Sequence, residues 1–356
     1  MTTYLFAGGG TAGHVNPLLA VADRIRERDP SAVVLVLGTK EGLEARLVPN
    51  RGYELLTIER LPFPRRLGRA ALSFPARFRR AVTQTRRYIV ERKVDVVVGF
   101  GGYAAAPAYR AARALRIPVV IHEANARPGL ANRLGARYSE HVGTVFSETR
   151  LPHSTLVGMP LRREIEQLDR AASRQEAIAF FGLDATRPTL MVTGGSTGAR
   201  SINRAVFDSI DGILAAGWQV LHIAGNGNEL PSSTKPGYHI LNYCDRMELA
   251  LAAADLAIAR SGAVTLSEFA AVGLPAIFIP YPVGNGEQKL NAADAVKAGG
   301  AILVADAEFT PAWIGTRLIP LLRDRSAIDR MAAGIGSVGS RDGADRMVDL
   351  VLASAR

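Results

Sequence analysis

Cysteine is nearly absent. Cys244 is the only one in 356 residues, which excludes an internal disulfide and fits a reducing compartment. No window approaches ~18 uncharged apolar residues, so no membrane-spanning helix is expected. The opening MTTYLFAGGG lacks a basic stretch ahead of a long apolar one, so it reads as a strand running into glycines and not as a signal peptide. Neither GKS nor GKT occurs, so no nucleoside-triphosphate loop is expected. Asp-x-Asp occurs nowhere; a metal-bridged diphosphate is therefore not expected, and neither is any metal or cofactor.

What is present is apolar and basic. Hydrophobic residues make up 48% of the chain, enough for packed cores, and the length favours two domains. The net charge is +10, and one segment carries all of it. Between Arg60 and Lys93 lie Arg60, Arg65, Arg66, Arg69, Arg77, Arg79, Arg80, Arg86, Arg87, Arg92 and Lys93 against the single acid Glu91. A solvated helix face is the plain explanation; an anionic partner is the functional one. Aromatic residues are not interleaved as a nucleic-acid binder needs for stacking, so an anionic membrane surface is expected and nucleic acid is not. Ser73 and Pro75 read as a helix start. Phe78, Val82, Thr85 and Ile89 would then face the core, with Arg77, Arg80 and Arg87 turned away. Ahead of that helix, Leu61, Phe63, Leu67, Leu72 and Phe74 alternate with Arg65, Arg66 and Arg69, a pattern suited to shallow insertion into an anionic leaflet.

Apolar β-branched runs alternate with helical patterns along the chain. Strands are expected at 4–7, 33–37, 94–98, 118–122 and 142–145, then at 189–193, 219–224, 239–242, 256–259, 276–280 and 301–304. Helices fall between them, among them 17–28, 200–216, 265–272 and 288–298. Continuous apolar strands alternating with helices imply an α/β fold of parallel sheets covered on both faces. The pause near 160–170 divides the chain into domains at 1–160 and 161–341. A last helix within 342–356 has a place against the first domain that the sequence leaves open.

Two glycine loops stand out. Gly8-Gly9-Gly10-Thr11-Ala12-Gly13-His14 follows the first strand, ahead of a helix opened by Asn16-Pro17. Gly194-Gly195-Ser196-Thr197-Gly198 follows the first strand of the second series. Glycines admit a ligand close to the backbone, and a helix start offers unpaired N–H groups. Ligands of open sheets bind at the carboxyl ends of strands, which is where His14 is expected. The plain alternative is that both loops are tight turns and His14 a packed helix-start residue. A third cluster runs from Arg260 to Glu268. Thr265 can cap a helix there, and Glu268 is either a first-turn acid favoured by the helix dipole or a bidentate acceptor for two ribose hydroxyls. Glu287, Gln288 and Asn291 supply amides and a carboxylate suited to sugar hydroxyls.

These motifs resemble the MurG family of glycosyltransferases. The matching segments are GGGTAGHVNP at 8–17, GFGGYAAAPA at 99–108, HEANARPGLANRL at 122–134, GMPLRR at 158–163, TGGSTGARSIN at 193–203, DRMELALAAADLAIARSGAVTLSE at 245–268, GLPAIFIPYP at 273–282 and GEQKLNA at 286–292. They follow family order through nearly the whole chain. The resemblance implies the GT-B fold, two Rossmann-like parallel-sheet domains facing a cleft. The first domain would take the acceptor and touch the membrane; the second would bind the UDP-sugar. The implied reaction is inverting transfer of N-acetylglucosamine from UDP-GlcNAc to undecaprenyl-diphospho-MurNAc-pentapeptide (lipid I), giving lipid II for peptidoglycan, at the cytoplasmic face of the membrane as a peripheral enzyme.

The resemblance also implies donor-site residues: Thr11, Ala12, Gly13, Asn125, Arg162, Ser196, Cys244, Ala263, Val264, Thr265, Leu266, Ser267, Glu268 and Gln288. Arg162 and Ser196 would meet the diphosphate, the Cys244 backbone the uracil, Glu268 the ribose, and Asn125 and Gln288 the sugar. His14, whose unperturbed pKa is near ~6.5, is the first choice of general base and Glu123 the second. The chain departs from the family pattern at Ala12, Met159, Thr197 and Glu287, where glycine, asparagine, glutamine and glutamine are usual. Other GT-B enzymes, an epimerase or a natural-product glycosyltransferase, and a non-catalytic UDP-sugar sensor are the competing expectations.

Overall fold

The computed structural model describes residues 1–64, 68–228, 230, 233–283 and 285–355. The chain forms two compact units, Met1–Arg162 with Arg341–Arg356, and Arg163–Ser340. Each is built on one parallel sheet.

The first unit holds seven strands: β1 (Thr3–Ala7), β2 (Val33–Gly38), β3 (Glu54–Thr57), β4 (Val96–Gly99), β5 (Val119–Glu123), β6 (His141–Thr144) and β7 (Ser154–Leu156). Their order is β3-β2-β1-β4-β5-β6-β7. The second unit holds β8 (Thr189–Thr193), β9 (Gln219–Ile223), β10 (Tyr238–Leu241), β11 (Leu256–Ala259), β12 (Ala276–Phe278) and β13 (Ala301–Leu303), ordered β10-β9-β8-β11-β12-β13. In both sheets the winding direction reverses beside the first strand, at β1/β4 and at β8/β11. Such a switch point opens a crevice at the carboxyl ends of the strands. Central strands such as β1 and β8 are buried at every position, so their side chains are mostly apolar on both faces. The sequence pattern missed β3 and β7, because edge strands have no need of an apolar run; β7 is exposed throughout.

Several boundaries differ from the sequence reading. The first helix, α1 (Ala12–Arg28), starts five residues ahead of Pro17. Thr11 is its N-cap, and the amides of His14 and Val15 both donate to the Thr11 carbonyl. The expected helix at 200–216 is broken into Arg200–Asp208 and Ile210–Ala215. The Ser209 hydroxyl at the break donates to the Ala205 carbonyl at 2.8 Å, a local bond that competes with helix continuation. The helix expected at 288–298 is likewise two short pieces, Glu287–Asn291 and Ala293–Lys297.

The last helix, Gly343–Ser354, belongs to the first unit. Met347, Val348 and Val351 join the core of Val15, Leu18 and Val36. Arg24 and Arg28 of α1 pair with Asp345, and Arg28 also with Asp349. Those partners hold Asp345 below the usual carboxylate range, the Arg24 hydrogen bond acting most strongly.

Helix α2 (Glu44–Asn50) precedes the basic segment, and α3 (Arg69–Glu91) lies within it. Helix α3 starts before Ser73 and carries Pro75 inside. The Phe74 ring packs on Phe63 at 5.5 Å and Phe78 at 5.9 Å, which holds the turn ahead of the proline in place. Thr85 and Ile89 are buried as expected, with Phe78 and Val82 half-buried. Arg77 is not turned away: its guanidinium folds back to Glu59 at 2.7 Å and to the Arg60 carbonyl at 3.1 Å. Leu61 is buried and Phe74 packs on the core, so neither is available for insertion. Phe63 and Leu72 remain exposed, at 62% and 84%. Arg65, Arg66 and Leu67 lie outside the described residues, as does the Arg69 side chain. Among the described residues, no helix is long and apolar enough to cross a membrane.

Candidate active site

At the first switch point two glycine-rich loops interlock. A Cβ on Gly102 would lie 2.4 Å from the Gly9 carbonyl oxygen, so the loop after β4 and the loop after β1 touch backbone to backbone only because no side chain intervenes. His14 occupies the first turn of α1, half-buried. Its Nδ1 lies 3.2 Å from the Gly9 carbonyl and 3.2 Å from the Thr11 hydroxyl. A carbonyl only accepts, so the Gly9 contact assigns the proton to Nδ1. Nε2 is left with a lone pair and lies beside Gly101. Burial lowers the imidazole pKa, opposed by Glu123, the Gly9 hydrogen bond and Glu44.

Behind His14 is a buried polar network. Glu123, 2% exposed at the end of β5, accepts four hydrogen bonds. Oε1 takes the Asn125 amide at 2.9 Å and its side-chain Nδ2 at 3.3 Å. Oε2 takes the Gly129 amide and Asn132 Nδ2, both at 2.9 Å. The Tyr109 hydroxyl donates to Asn132 Oδ1 at 2.7 Å. Both Glu123 oxygens are thus engaged, and the carboxylate organises the 124–129 loop. His122 is buried, with Nε2 3.4 Å from the Gly158 carbonyl; burial depresses its pKa to about 4.

At the second switch point the glycine loop is braced by neutral groups. The Gly194–Gly198 loop leads into the helix Arg200–Asp208, and Ser196 and Thr197 are exposed. A Cβ on Gly198 would lie 2.0 Å from the Ala224 carbonyl oxygen, so this loop is stacked on the end of β9. That carbonyl also accepts Asn203 Nδ2 at 2.9 Å. Asn203 Oδ1 meets His222 Nε2 at 3.2 Å, and His222 Nδ1 meets the Tyr238 hydroxyl at 2.9 Å. His222 is fully buried, and burial depresses its pKa to about 3.

After β11, Ser261 is fully buried and Gly262 is the N-cap of the helix Ala263–Ala271. Thr265 therefore lies inside the helix, and no side chain caps it. Glu268 falls in the second turn, 7% exposed, too far along for a first-turn acid. Gln288 Oε1 accepts the Tyr281 amide at 2.9 Å. Arg260 bridges Asp306, the Ser201 hydroxyl and the carbonyls of Ile279 and Pro280, which tethers the ends of β11 and β12 to the helix after β8.

The candidate residues thus fall into groups. Thr11, Ala12, Gly13, His14, Glu123 and Asn125 gather at the first switch point. Ser196 and Ala263 through Glu268 gather at the second. Gln288 opens the helix Glu287–Asn291, and Cys244 is buried in the turn after β10. Arg162, half-buried, is the last residue of the first unit's main segment. The residue missed in the sequence is Glu44. It is fully buried and accepts the Gly10 amide at 2.8 Å. Nothing in Thr39-Lys40-Glu41-Gly42-Leu43-Glu44 distinguishes it from Glu41; only the glycines around it hint at a filled space.

Residues 4–144 match the glycosyltransferase family 28 N-terminal domain, and residues 189–347 match its C-terminal domain. The UDP-N-acetylglucosamine--N-acetylmuramyl-(pentapeptide) pyrophosphoryl-undecaprenol N-acetylglucosamine transferase of Leifsonia xyli is 62% identical over 99% of this chain and 98% of its own length. The transferase of the same description from Streptomyces coelicolor is 48% identical over 98% of this chain and 96% of its own. Among solved structures, Acinetobacter baumannii MurG superposes with a TM-score of 0.81 at 27% identity, covering 99% of this chain and all of that one. With two Rossmann-like units, paired glycine loops and these matches along its length, the chain belongs to glycosyltransferase family 28 and, within it, to the MurG family of GT-B enzymes.

Proposed function

We propose that the chain transfers N-acetylglucosamine from UDP-GlcNAc to lipid I, giving lipid II, with inversion at the anomeric carbon. The observation that carries this reading is the match at 62% identity, over 99% of the chain, to a transferase of that description. The acceptor hydroxyl oxygen bonds to the anomeric carbon as the bond to the diphosphate oxygen breaks. The electron pair leaves with UDP, and the hydroxyl proton goes to His14 Nε2. That nitrogen suits the task because Nδ1 is occupied by Gly9 and burial keeps the ring unprotonated near neutrality. Glu123, with both oxygens engaged, acts as a positioning residue that presents Asn125 and not as a second base.

The donor assignments follow the family motif. Ser196 and Arg162 meet the diphosphate, the Cys244 backbone the uracil, Glu268 the ribose, Gln288 and Asn125 the sugar, with Thr11, Ala12, Gly13 and Ala263 to Ser267 lining their contacts. Radiolabelled transfer from UDP-GlcNAc to a short-chain lipid I analogue tests the reaction. Hydrolysis or epimerisation of donor with no acceptor product would refute it.

The chain acts at the cytoplasmic membrane face as a peripheral protein, with the basic segment as its contact. Support comes from the eleven basic residues between Arg60 and Lys93, from exposed Arg79, Arg80, Arg86 and Arg87, and from exposed Phe63 and Leu72. Each basic residue at an anionic surface contributes about 1 kcal/mol, so several give reversible docking. Binding to anionic liposomes should weaken with salt and be slight for neutral ones. Changing Arg65, Arg66 and Arg69 together to Ser should reduce it while sparing activity on a water-soluble acceptor; unchanged vesicle binding would reduce the patch to a solvated surface.

A further inference from the structure

Glu44 is a fully buried carboxylate whose hydrogen-bond donors are all neutral. Oε1 accepts the Thr39 amide at 2.9 Å and the Thr39 hydroxyl at 2.8 Å, and Oε2 accepts the Gly10 amide at 2.8 Å. Among the described residues it has no ion-pair partner. Burying such a charge is costly, and the fold makes room for it with three glycines. A Cβ on Gly9, Gly38 or Gly42 would come within 2.4, 2.6 or 2.0 Å of the Glu44 side chain.

The Gly10 N–H and the Gly9 C=O belong to one peptide plane, which is rigid and whose two groups point opposite ways. One end of that plane meets Glu44; the other meets His14 Nδ1. An anion at the N–H end polarises the peptide and strengthens what its carbonyl accepts, since hydrogen bonds in series reinforce one another. We propose that Glu44 is a positioning residue for the transfer reaction, acting through the Gly9–Gly10 peptide to hold His14 as the Nδ1–H tautomer with Nε2 free to take a proton. This rests on the reading of His14 as the base. The arrangement parallels a carboxylate–histidine pair, with a peptide group interposed. The other titratable groups acting on this pair are Glu123, which favours the imidazolium, and His122, which is coupled to His14 by like-charge repulsion.

The test is nitrogen NMR of the full chain carrying labelled histidine, run beside steady-state kinetics. In the unmodified chain His14 should show the Nδ1–H tautomer; a dominant Nε2–H tautomer would overturn the proposal without any variant. In Glu44→Gln, which is isosteric and neutral, the His14 titration midpoint should fall by about one pH unit. Its tautomers should mix, and kcat should drop roughly 10-fold, a fraction of what a general base contributes, with donor KM within about twofold. Glu44→Asp, which keeps the charge, should restore part of the titration shift. A His14 titration and tautomer unmoved in Glu44→Gln would overturn the relay and leave the base reading intact, provided His14→Ala is inactive. Full turnover in His14→Ala would remove the base reading, while the titration would still report on the relay.

Discussion

The two switch points have the same topology, but different groups brace their glycine loops. Both place a glycine loop after the first strand of a parallel sheet, beside a second loop from the neighbouring strand. In the first, a buried carboxylate, Glu44, consumes the Gly10 amide, and a second, Glu123, lies behind His14. In the second, the loop is braced by the neutral chain Asn203–His222–Tyr238. Anions favour helix starts with unspent N–H groups and no competing carboxylate. The proposed assignments follow this contrast, with the departing diphosphate at the second loop and the base at the first. On those assignments a shared architecture serves two chemical tasks through a few buried residues, as expected when function is grafted onto a common fold.

The sharpest way to break this contrast is His14→Ala. It should lower kcat by roughly 10²–10⁴, the range of a positioned general base, and leave UDP binding nearly unchanged. Calorimetry of UDP beside single-turnover rates checks both halves. A large loss of UDP affinity would place the diphosphate against the His14 loop and dissolve the division.

At the second loop, Gly198→Ala would drive a Cβ toward the Ala224 carbonyl at a positive φ of 71°. A cost above the ~1–3 kcal/mol of backbone strain alone is expected, because the carbonyl must also shift, read as weaker UDP-GlcNAc binding and a lower thermal midpoint. Turnover per bound donor should change less than affinity does. Equal loss in both would show that this loop also shapes the acceptor side.

Donor identity sharpens the same assignment. At ~100-fold saturation UDP-GlcNAc should stabilise the chain by roughly 2.7 kcal/mol, and GDP-GlcNAc by much less. Glu268→Ala should raise donor KM more than it lowers kcat, since ribose contacts are common to ground and transition states. An equal thermal shift from both nucleotides would sink the assignment of UDP-GlcNAc as the donor.

The smallest effect separates the units by pH. His122 and His222 are neutral in the fold, with depressed pKa values of about 4 and about 3. An unfolded imidazole takes its proton near ~6.5, so the unfolded state binds more protons as pH falls below that value. Stability should therefore decline from pH 6.5 down to about 4 in the first unit, and down to about 3 in the second. Urea midpoints against pH would follow this. His222→Phe should flatten the lower part of the curve, and an unchanged slope would mean that carboxylates dominate the acid transition.

Much of this molecule was legible before folding. Val33–Leu37, Thr189–Thr193 and Leu256–Ala259 announced themselves as strands because a doubly covered parallel sheet needs apolar residues on both faces. The glycine loops at Gly8 and Gly194 were visible because each directly follows such a run. The boundaries of α1 and α3 were not, since Pro17 and Pro75 read as helix starts while packing carries each helix past its proline. Leu61 and Phe63 look alike in sequence, and only the fold buries one and exposes the other.

The same division holds at the site. Sequence alone determined the fold class, the two parallel sheets, the glycine loops, His14 and the excess of charge between Arg60 and Lys93, because each is written in local pattern or composition. Only the tertiary structure decided what those residues do to one another. It engaged both oxygens of Glu123, folded Arg77 back onto Glu59, moved Glu268 into a second helical turn, and brought Glu44 under a glycine loop 34 residues earlier in the chain. The physical reason is that tautomer, charge and hydrogen-bond capacity depend on which groups meet within about 3 Å, and such meetings between distant segments leave no period in the sequence.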